Sequence, residues 1–478
     1  MKIKNLTYLI LFLLFSISLV SAELSMPSIF GDNMVLQRNT QVAIYGTADP
    51  NERVSVRVTW SKDTFRIRAD DKGKWRVDVP TGDASTDEWI RVEAEETIEF
   101  KNVCIGEVWI CSGQSNMARL LGGRAGGPIK NGFSVIKQAN RPDIRLYALP
   151  QLSEPLPQSD NPSEWLVSDA EAAAAFSAVG YIFGKELNDY LGVPIGLILN
   201  AWGGSCVEAW ISKEKLQDLG KNQKNNYYLN QSANISVETP PNHEPSGLFN
   251  GMLHPLIPYT IRGAIWYQGE SNTVNSAEYA ELFSGMIVDW RNRWGIGNFP
   301  FYFVQIAPYD YPEGRDNSAL VREAQAQVEA NLANTGMAVI LDAGLENDIH
   351  PPYKIRVGER LALIALSNTY GVKGFPKGCP NYESLTVERR RVRVHFKNAG
   401  NGLYFDGDSV NGLEIAGEDR IFHPATAQAT PQGHLLVSSE KVANPVAVRY
   451  GFTDWVQGNL FSTNGLPVSS FRTDDWDQ

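Results

Sequence analysis

The apolar positions of this chain follow two patterns, and the pattern changes twice along the sequence. From about residue 23 to 103, and again from about 376, short segments alternate apolar and polar residues between turns rich in glycine, asparagine and aspartate. Alternation with a period of two is typical of antiparallel strands that bury one face. The first set of segments covers 43–47, 53–60, 64–69, 75–80 and 89–94. The pattern predicts a β-sandwich module at the start of the chain and another at its end, although the two could also pack together as one accessory unit.

Between these parts the apolar residues form continuous runs instead. The runs cover 108–111, 195–199, 263–267, 301–306 and 337–341. Runs of this kind are typical of parallel strands that are buried on both faces. Helical periodicity occurs around them, at 177–190, 277–294, 319–334 and 353–370. Alternation of such strands and helices predicts a three-layer α/β domain with a mostly parallel sheet.

The first 22 residues have the pattern of a secretory signal peptide. Lys2 and Lys4 precede a short apolar run, and small residues at 20–22 form a cleavage site. We expect cleavage after Ala22, export to the periplasm, the cell surface or the medium, and no membrane insertion afterwards. The expected organisation is therefore a signal peptide at 1–22, a β-sandwich at 23–103, the α/β domain at 104–375 and a β-rich domain at 376–478.

The charge and the cysteines exclude several classes of function. A net charge of −11 argues against nucleic acid as a partner. The four cysteines, Cys104, Cys111, Cys206 and Cys379, have the spacing of neither a zinc site nor a dense disulfide scaffold. No pair of histidines has the spacing of metal ligands. We therefore expect no metal and no cofactor, while cysteine pairing and oligomeric state stay open.

A serine follows the first apolar run of the α/β domain. Residues 106–117 read GEVWICSGQSNM, so that a buried strand ends in a glycine turn carrying Ser115. Such a turn exposes a hydroxyl in a fixed position and surrounds it with backbone N–H groups, as a nucleophile requires. The same residues can also form an ordinary turn, and Met117 replaces the last glycine of the GxSxG elbow pattern.

Polar glycine-containing loops also follow the next two runs, at 200–205 and 268–272. The carboxyl ends of parallel strands meet at one edge of a sheet, so the three loops could converge there. The Gly203-Gly204 pair lets backbone N–H groups approach a substrate oxygen closely, and Gln268 adds a side-chain amide donor, so these loops could form an oxyanion hole.

A candidate base follows the fifth run. His350 precedes two prolines that suit the first turn of a helix. Asp348 lies two residues earlier and would face the same side of an extended segment, where it could orient the imidazole. A single histidine in front of a helix can equally be a structural residue.

Four segments resemble, in order, the motif blocks of the sialate O-acetylesterase family within the SGNH (GDSL-type) hydrolases. They read GEVWICSGQSNM, AWGGSCVEAWIS, IRGAIWYQGESN and NDIHPPYKIRVGERLA, and both ends of the chain are similar to the family's flanking modules. The resemblance implies a secreted serine esterase that removes O-acetyl groups from sugars. It assigns Ser115 as nucleophile, His350 as base, and Gly204 and Gln268 to the oxyanion hole.

The resemblance leaves two candidates for the acid that orients His350. SGNH enzymes usually carry the acid three residues before the histidine, where this chain has Asn347, whereas Asp348 matches the DIHP pattern of the narrower family. Glu270 is the second candidate, and its alternative role is to brace its own loop through hydrogen bonds.

Five further residues are candidates for contact with the substrate, and each has a structural alternative. They are Asn116, Asn272, Trp202, Tyr267 and Arg322. The asparagines and Arg322 match blocks of the family, and the two aromatic residues adjoin the motif loops. For Arg322 a solvated helix face is an equally good interpretation.

Three functions are compatible with these observations. The first is hydrolysis of O-acetyl groups on sialic acids, and the second is the same chemistry on acetylated xylan or another hemicellulose. The third is a glycan-binding β-sandwich protein with an inactive hydrolase core, against which the intact Ser115 and His350 argue. Specificity would come from loops such as 119–135 and 218–247.

Overall fold

A computed structural model describes residues 23–123, 127–220, 239–315 and 317–476 of the protein. The expected signal peptide at 1–22 lies outside these ranges, and its cleavage stays a prediction. Within these ranges, no helix has the length and apolar character that a membrane crossing requires.

Residues 23–113 form seven strands. They are β1 (Val35–Gln37), β2 (Gln41–Thr47), β3 (Arg53–Val58), β4 (Thr64–Arg68), β5 (Lys74–Pro80), β6 (Ser85–Glu93) and β7 (Thr97–Gly113). β2 pairs with β5, and β3 pairs with β4 and β6, all antiparallel. Burial alternates along these strands, as in β5, where Trp75 and Val79 are buried between exposed neighbours. Each of the five alternating segments of the sequence overlaps one strand of this region, from β2 to β6.

Strand β7 crosses the expected border between the first two domains at 103/104. Its first part pairs antiparallel with β6, and its last part pairs in parallel with strands of the central sheet. Every residue from Val103 to Gly113 is buried. The border therefore stays a prediction, because one strand belongs to both regions.

The central sheet is mostly parallel. Its other strands are β8 (Arg141–Ala148), β9 (Trp165–Ser168), β10 (Ile195–Ala201), β11 (Gly263–Tyr267), β12 (Phe301–Val304) and β13 (Thr335–Ala338). The order is β13-β12-β11-β7-β10-β8-β9, and only β9 is antiparallel to its neighbour. The five apolar runs correspond to β7, β10, β11, β12 and β13, which confirms the mostly parallel sheet.

Helices cover both faces of this sheet. They are α1 (Ser115–Ala118), α2 (Gly132–Ile136), α3 (Ala170–Ala174), α4 (Ala178–Leu191), α5 (Lys213–Gly220), α6 (Ser276–Trp294), α7 (Ser318–Asn331) and α8 (Lys354–Asn368). Short helical turns lie at Val207–Trp210, Pro241–His243, Phe249–Leu253, His254–Leu256 and Glu270–Asn275. Ile265 of β11 belongs to the hydrophobic cluster of α4 and α8, whereas its neighbour Trp266 belongs to that of α6 and α7. The four predicted helices correspond to α4, α6, α7 and α8.

The C-terminal region forms antiparallel sheets. Its strands are β14 (Asn381–Glu388), β15 (Arg391–Lys397), β16 (Leu403–Phe405), β17 (Leu413–Ala416), β18 (His423–Pro424), β19 (Thr426–Ala429), β20 (His434–Ser438), β21 (Ala447–Tyr450), β22 (Leu460–Ser462) and β23 (Phe471–Arg472). They form two four-stranded sheets, β14-β15-β20-β19 and β18-β17-β21-β23, and the pair β16-β22. All four cysteines of the chain are buried with free thiols.

Candidate active site

Three neighbouring strands end at the same level of the sheet and bring three loops together. Gly113 at the end of β7 is in register with Ala201 of β10 on one side and Tyr267 of β11 on the other. The loops that follow these residues therefore start side by side. This is the convergence that the polar loops at 113–116, 200–205 and 268–272 led us to expect.

The turn after β7 requires glycine. Gly113 has a φ of 134°, and a Cβ at this position would lie 2.2 Å from the carbonyl oxygen of Tyr267. That carbonyl also accepts a hydrogen bond from the N–H of Gln114 at 2.9 Å. Ser115 then begins the short helix α1, half-buried, at a well-defined point above the strand.

Ser115 is in direct contact with the candidate base. The Oγ of Ser115 lies 2.8 Å from Nε2 of His350, although the two residues are 235 positions apart. Burial lowers the pKa of His350 below its ordinary value, the positive charges of Lys354 and Arg119 lower it further, and Asp348 opposes them. A neutral imidazole at hydrogen-bond distance from a hydroxyl can accept its proton.

Two backbone donors border this pair. The Gly203-Gly204 turn approaches Ser115 so closely that a Cβ on Gly203 would lie 3.3 Å from the Cβ of Ser115. Gly204 has a φ of 73°, in the left-handed region. Within the described ranges, the N–H groups of Ser115 and Gly204 make no hydrogen bond. They are therefore available to an oxyanion.

Gln268, the third donor expected from the sequence, has its side-chain N–H groups in other hydrogen bonds. Its side chain is fully buried, and its Nε2 donates to the carbonyl of Ser205 at 3.1 Å and to Oδ1 of Asn272 at 2.6 Å. Its Oε1 accepts a hydrogen bond from the hydroxyl of Tyr279 in α6. Both amide hydrogens are thus in use. The alternation of β11 directs this side chain towards α6.

Of the two candidate acids, Asp348 is the one that contacts His350. Its Oδ1 accepts a hydrogen bond from the backbone N–H of His350 at 2.8 Å. Between the Asp348 carboxylate and the imidazole ring itself, the described structure contains no ion pair or hydrogen bond. Glu270 is buried and accepts from Nδ2 of Asn116 at 2.6 Å, without contacting His350.

The two candidate asparagines brace the loops and have no polar atom left for a substrate. Asn116 donates to Glu270 and to the carbonyl of Ile349, and accepts from Lys354. Asn272 is also buried, and its bonding partners are Gln268, the N–H of Val207, Glu208 and Asn275. Of the two roles expected for these asparagines, contact with the sugar or bracing of the catalytic loops, the hydrogen bonds favour bracing, because every polar side-chain atom has an internal partner.

The side chain of Arg322 has only internal hydrogen-bond partners in the described structure. It is fully buried in α7 and donates to the hydroxyls of Ser318 and Ser470 and to the carbonyls of Gly451 and Thr453. The last three partners belong to the C-terminal region. Arg322 therefore ties α7 to that region, and burial lowers its pKa to about 10.

The two candidate aromatic residues differ in accessibility. Tyr267 is fully buried, and its ring lies 5.6 Å from the Nζ of Lys354, so it is not a wall of the pocket. Trp202 is half-buried, and its backbone N–H donates to the carbonyl of Gly113 at 3.0 Å. Trp202 remains beside the serine turn and stays a candidate for substrate contact.

Sequence reasoning missed Lys354. This lysine begins α8, four residues after His350, and is fully buried behind the serine turn. Its position within a recognised motif was a usable signal, but apolar periodicity gives no warning that a lysine is buried. No group of three or more metal-ligating side chains occurs in the ranges that the structure describes.

Comparison with known proteins identifies the family. Residues 105–367 match the family described as "Carbohydrate esterase, sialic acid-specific acetylesterase". Sialate O-acetylesterase from Homo sapiens is 28% identical over 90% of this chain and 87% of its own length. Sialate O-acetylesterase from Rattus norvegicus is 30% identical, over 76% of this chain and 77% of its own length.

A solved structure agrees with this match. The crystal structure of a carbohydrate acetylesterase from Xanthomonas citri superposes with a TM-score of 0.84 and 35% identity, covering 95% of this chain and 100% of that one. The family match includes the loops that carry Ser115 and His350. The chain therefore belongs to the sialic acid-specific acetylesterase family of carbohydrate esterases, and it is a carbohydrate O-acetylesterase.

Proposed function

We propose that the protein hydrolyses O-acetyl esters of sialic acids through an acetyl-serine intermediate on Ser115. The observation that carries the proposal is the 2.8 Å contact between Oγ of Ser115 and Nε2 of His350. His350 accepts the hydroxyl proton as Oγ attacks the acetyl carbonyl carbon. The sugar oxygen then leaves with that proton, and an acetyl ester remains on Ser115.

The second half of the reaction repeats these steps with water. His350 takes a proton from a water molecule, the resulting hydroxide attacks the acetyl-serine, and acetate leaves as Oγ recovers its proton. In both halves the N–H groups of Ser115 and Gly204 stabilise the negative charge on the carbonyl oxygen. This assignment of the oxyanion hole uses two backbone donors and omits Gln268.

Asp348 is proposed as the residue that orients His350. Its carboxylate holds the backbone N–H of His350, and its negative charge favours the imidazolium that forms as Ser115 is deprotonated. Replacing Asp348 with alanine is expected to lower kcat about ten- to a hundredfold. The measurement is the rate of hydrolysis of p-nitrophenyl acetate at saturation.

Glu346→Ala is the matched control for this variant, because Glu346 is an exposed carboxylate of the same loop. It should retain the kcat of the unmodified enzyme. Equal rates for the two variants would remove Asp348 from the mechanism.

The substrate class is proposed from the family and its relatives. The family match is described as sialic acid-specific, and the curated relatives from human and rat are called sialate O-acetylesterases. Hemicellulose remains the second candidate, because the Xanthomonas structure is described only as a carbohydrate acetylesterase. An exported enzyme with a cleaved signal peptide and flanking β-sandwich modules would suit either substrate.

Substrate comparison separates the two candidates. We expect kcat/KM for O-acetylated sialic acid to exceed that for acetylated xylan by at least about tenfold, because a site that binds polar groups of one sugar rejects a sugar lacking them. Acetate release from both is the measurement. The opposite ratio would support the hemicellulose assignment, and no turnover of either substrate or of p-nitrophenyl acetate would support an inactive glycan-binding protein.

A further inference from the structure

A buried group of three polar side chains lies directly behind Ser115 and His350. The Nζ of Lys354 donates to Oδ1 of Asn116 at 2.6 Å, and Nδ2 of Asn116 donates to Oε1 of Glu270 at 2.6 Å. All three side chains are at most 3% exposed. Buried charges are costly unless they have partners, so a group of this kind needs a reason to persist beside a reaction centre.

The orientation of Asn116 in this group is fixed by its neighbours. Its Nδ2 also contacts the carbonyl oxygen of Ile349 at 3.1 Å, and a carbonyl can only accept a hydrogen bond. Its Oδ1 faces an ammonium group, which can only donate. The amide therefore has one arrangement that satisfies both ends, and it links α1 to the loop before α8.

The group holds the backbone on both sides of His350. Asn116 binds the carbonyl of Ile349, and Lys354 binds the carbonyl of Pro351 at 2.8 Å. Asn116 is also the residue after Ser115. A single amide–ammonium pair therefore fixes the loop of His350 against the turn of Ser115, and with it the distance between Oγ and Nε2.

Charged side chains of this group and its surroundings also determine the electrostatic potential at the imidazole of His350. Facing groups come from four elements: Lys354 from α8, Arg119 from the residue after α1, Glu270 from the turn after β11, and Asp348 from the loop itself. Burial lowers the pKa of Lys354 to about 7, and Glu270 opposes this shift. After burial, the positive charge of Lys354 is the next cause of the lowered pKa of His350.

We propose that Lys354 is a positioning residue of this esterase. It fixes His350 against Ser115 through Asn116, and its ammonium charge keeps the imidazole unprotonated in weakly acidic solution. The proposal rests on the proposed function, since it takes His350 as the general base. It concerns two separable effects, one on geometry and one on charge.

The test replaces Lys354 with methionine, which is similar in length and uncharged, and with glutamine, which is uncharged but retains an N–H donor. In both variants the pKa of His350 should rise by about one unit, because a nearby positive charge no longer opposes the imidazolium. The acid limb of kcat/KM should move to higher pH by the same amount. At pH 8 the methionine variant should lose more kcat than the glutamine variant.

The pKa of His350 is measured directly by NMR titration of histidine-labelled full-length protein. The chain has six histidines, and the signal that is absent from a His350→Ala sample identifies His350. Lys185→Met is the matched control, since Lys185 is a half-buried lysine paired with Asp189 on α4. This control should leave both the titration and the acid limb unchanged.

The outcomes distinguish the proposed role of Lys354 from the proposed role of His350 as the base. Unchanged titration of His350 in folded Lys354 variants would overturn the role of Lys354 in setting its charge, as would failure of both variants to fold. A shifted titration with an unmoved acid limb would leave the effect of Lys354 intact and instead contradict His350 as the base. Loss of kcat without either shift would reduce Lys354 to a structural residue.

Discussion

Replacing Ser115 with alanine is expected to lower kcat for acetyl ester hydrolysis by roughly ten-thousand- to million-fold. In the proposed mechanism the hydroxyl of Ser115, which contacts His350, forms the covalent intermediate, and alanine would leave His350 with no nucleophile to deprotonate. The residual rate would come from the backbone donors and from binding alone. The measurement is acetate release under saturating substrate, with a circular dichroism spectrum to verify folding.

Ser112→Ala is the matched control for this prediction. Ser112 lies three residues earlier on β7, and its buried Oγ has no hydrogen-bond partner in the described structure. Its removal should leave kcat unchanged. Rapid quenching of the unmodified enzyme should also yield a peptide containing Ser115 that is heavier by one acetyl group. Comparable rates for the two alanine variants would rule out Ser115 as the nucleophile.

Most of the fold could be predicted because buried positions in strands and helices are occupied by apolar residues in regular patterns. The central strands are covered on both faces, so they appear as unbroken apolar runs, and the helices show their buried stripe. Strand β8 was missed because only its residues 144–147 are buried, while Arg141, Pro142 and Asp143 are not. No domain border can be placed within strand β7, because one continuous strand pairs antiparallel with β6 in its first part and parallel with β11 in its last part.

The site could be predicted only where backbone placement decides the role. Ser115 follows a central strand, and His350 lies in a loop before a helix. Their positions in the fold were enough to select both residues as a candidate pair. Gln268 and Arg322 have suitable chemistry in suitable segments, but their side chains find buried partners in α6 and in the C-terminal region. Such partners are distant in sequence, and no local pattern indicates them.

Lys354 is the converse case, a residue near the site that the sequence analysis did not select. Lysine in the first turn of a helix is ordinarily a solvated residue, and the apolar periodicity around Lys354 does not predict its burial. Its burial becomes understandable only when Asn116 and Pro351 are seen to accept its hydrogen bonds. A polar residue adjacent to a catalytic motif therefore deserves a test even when its type suggests the surface.

Replacing His350 with alanine is expected to reduce kcat almost as much as the loss of Ser115, by roughly a thousand- to a million-fold. Without the imidazole, the hydroxyl of Ser115 keeps its proton at neutral pH and the leaving sugar oxygen has no proton donor. In the proposed mechanism the two residues act as one unit. Combining His350→Ala with Ser115→Ala should therefore lower the rate little further than either change alone.

This non-additivity distinguishes a joint chemical role from two separate structural effects. If His350 only supported the fold of its loop, its loss and that of Ser115 would multiply, since independent effects add as free energies. His423→Ala, in strand β18 of the C-terminal sheet, controls for removal of an imidazole elsewhere and should leave kcat unchanged. A double variant much slower than both single variants would mean that His350 and Ser115 contribute to the rate separately, and the proposed proton transfer between them would have to be abandoned.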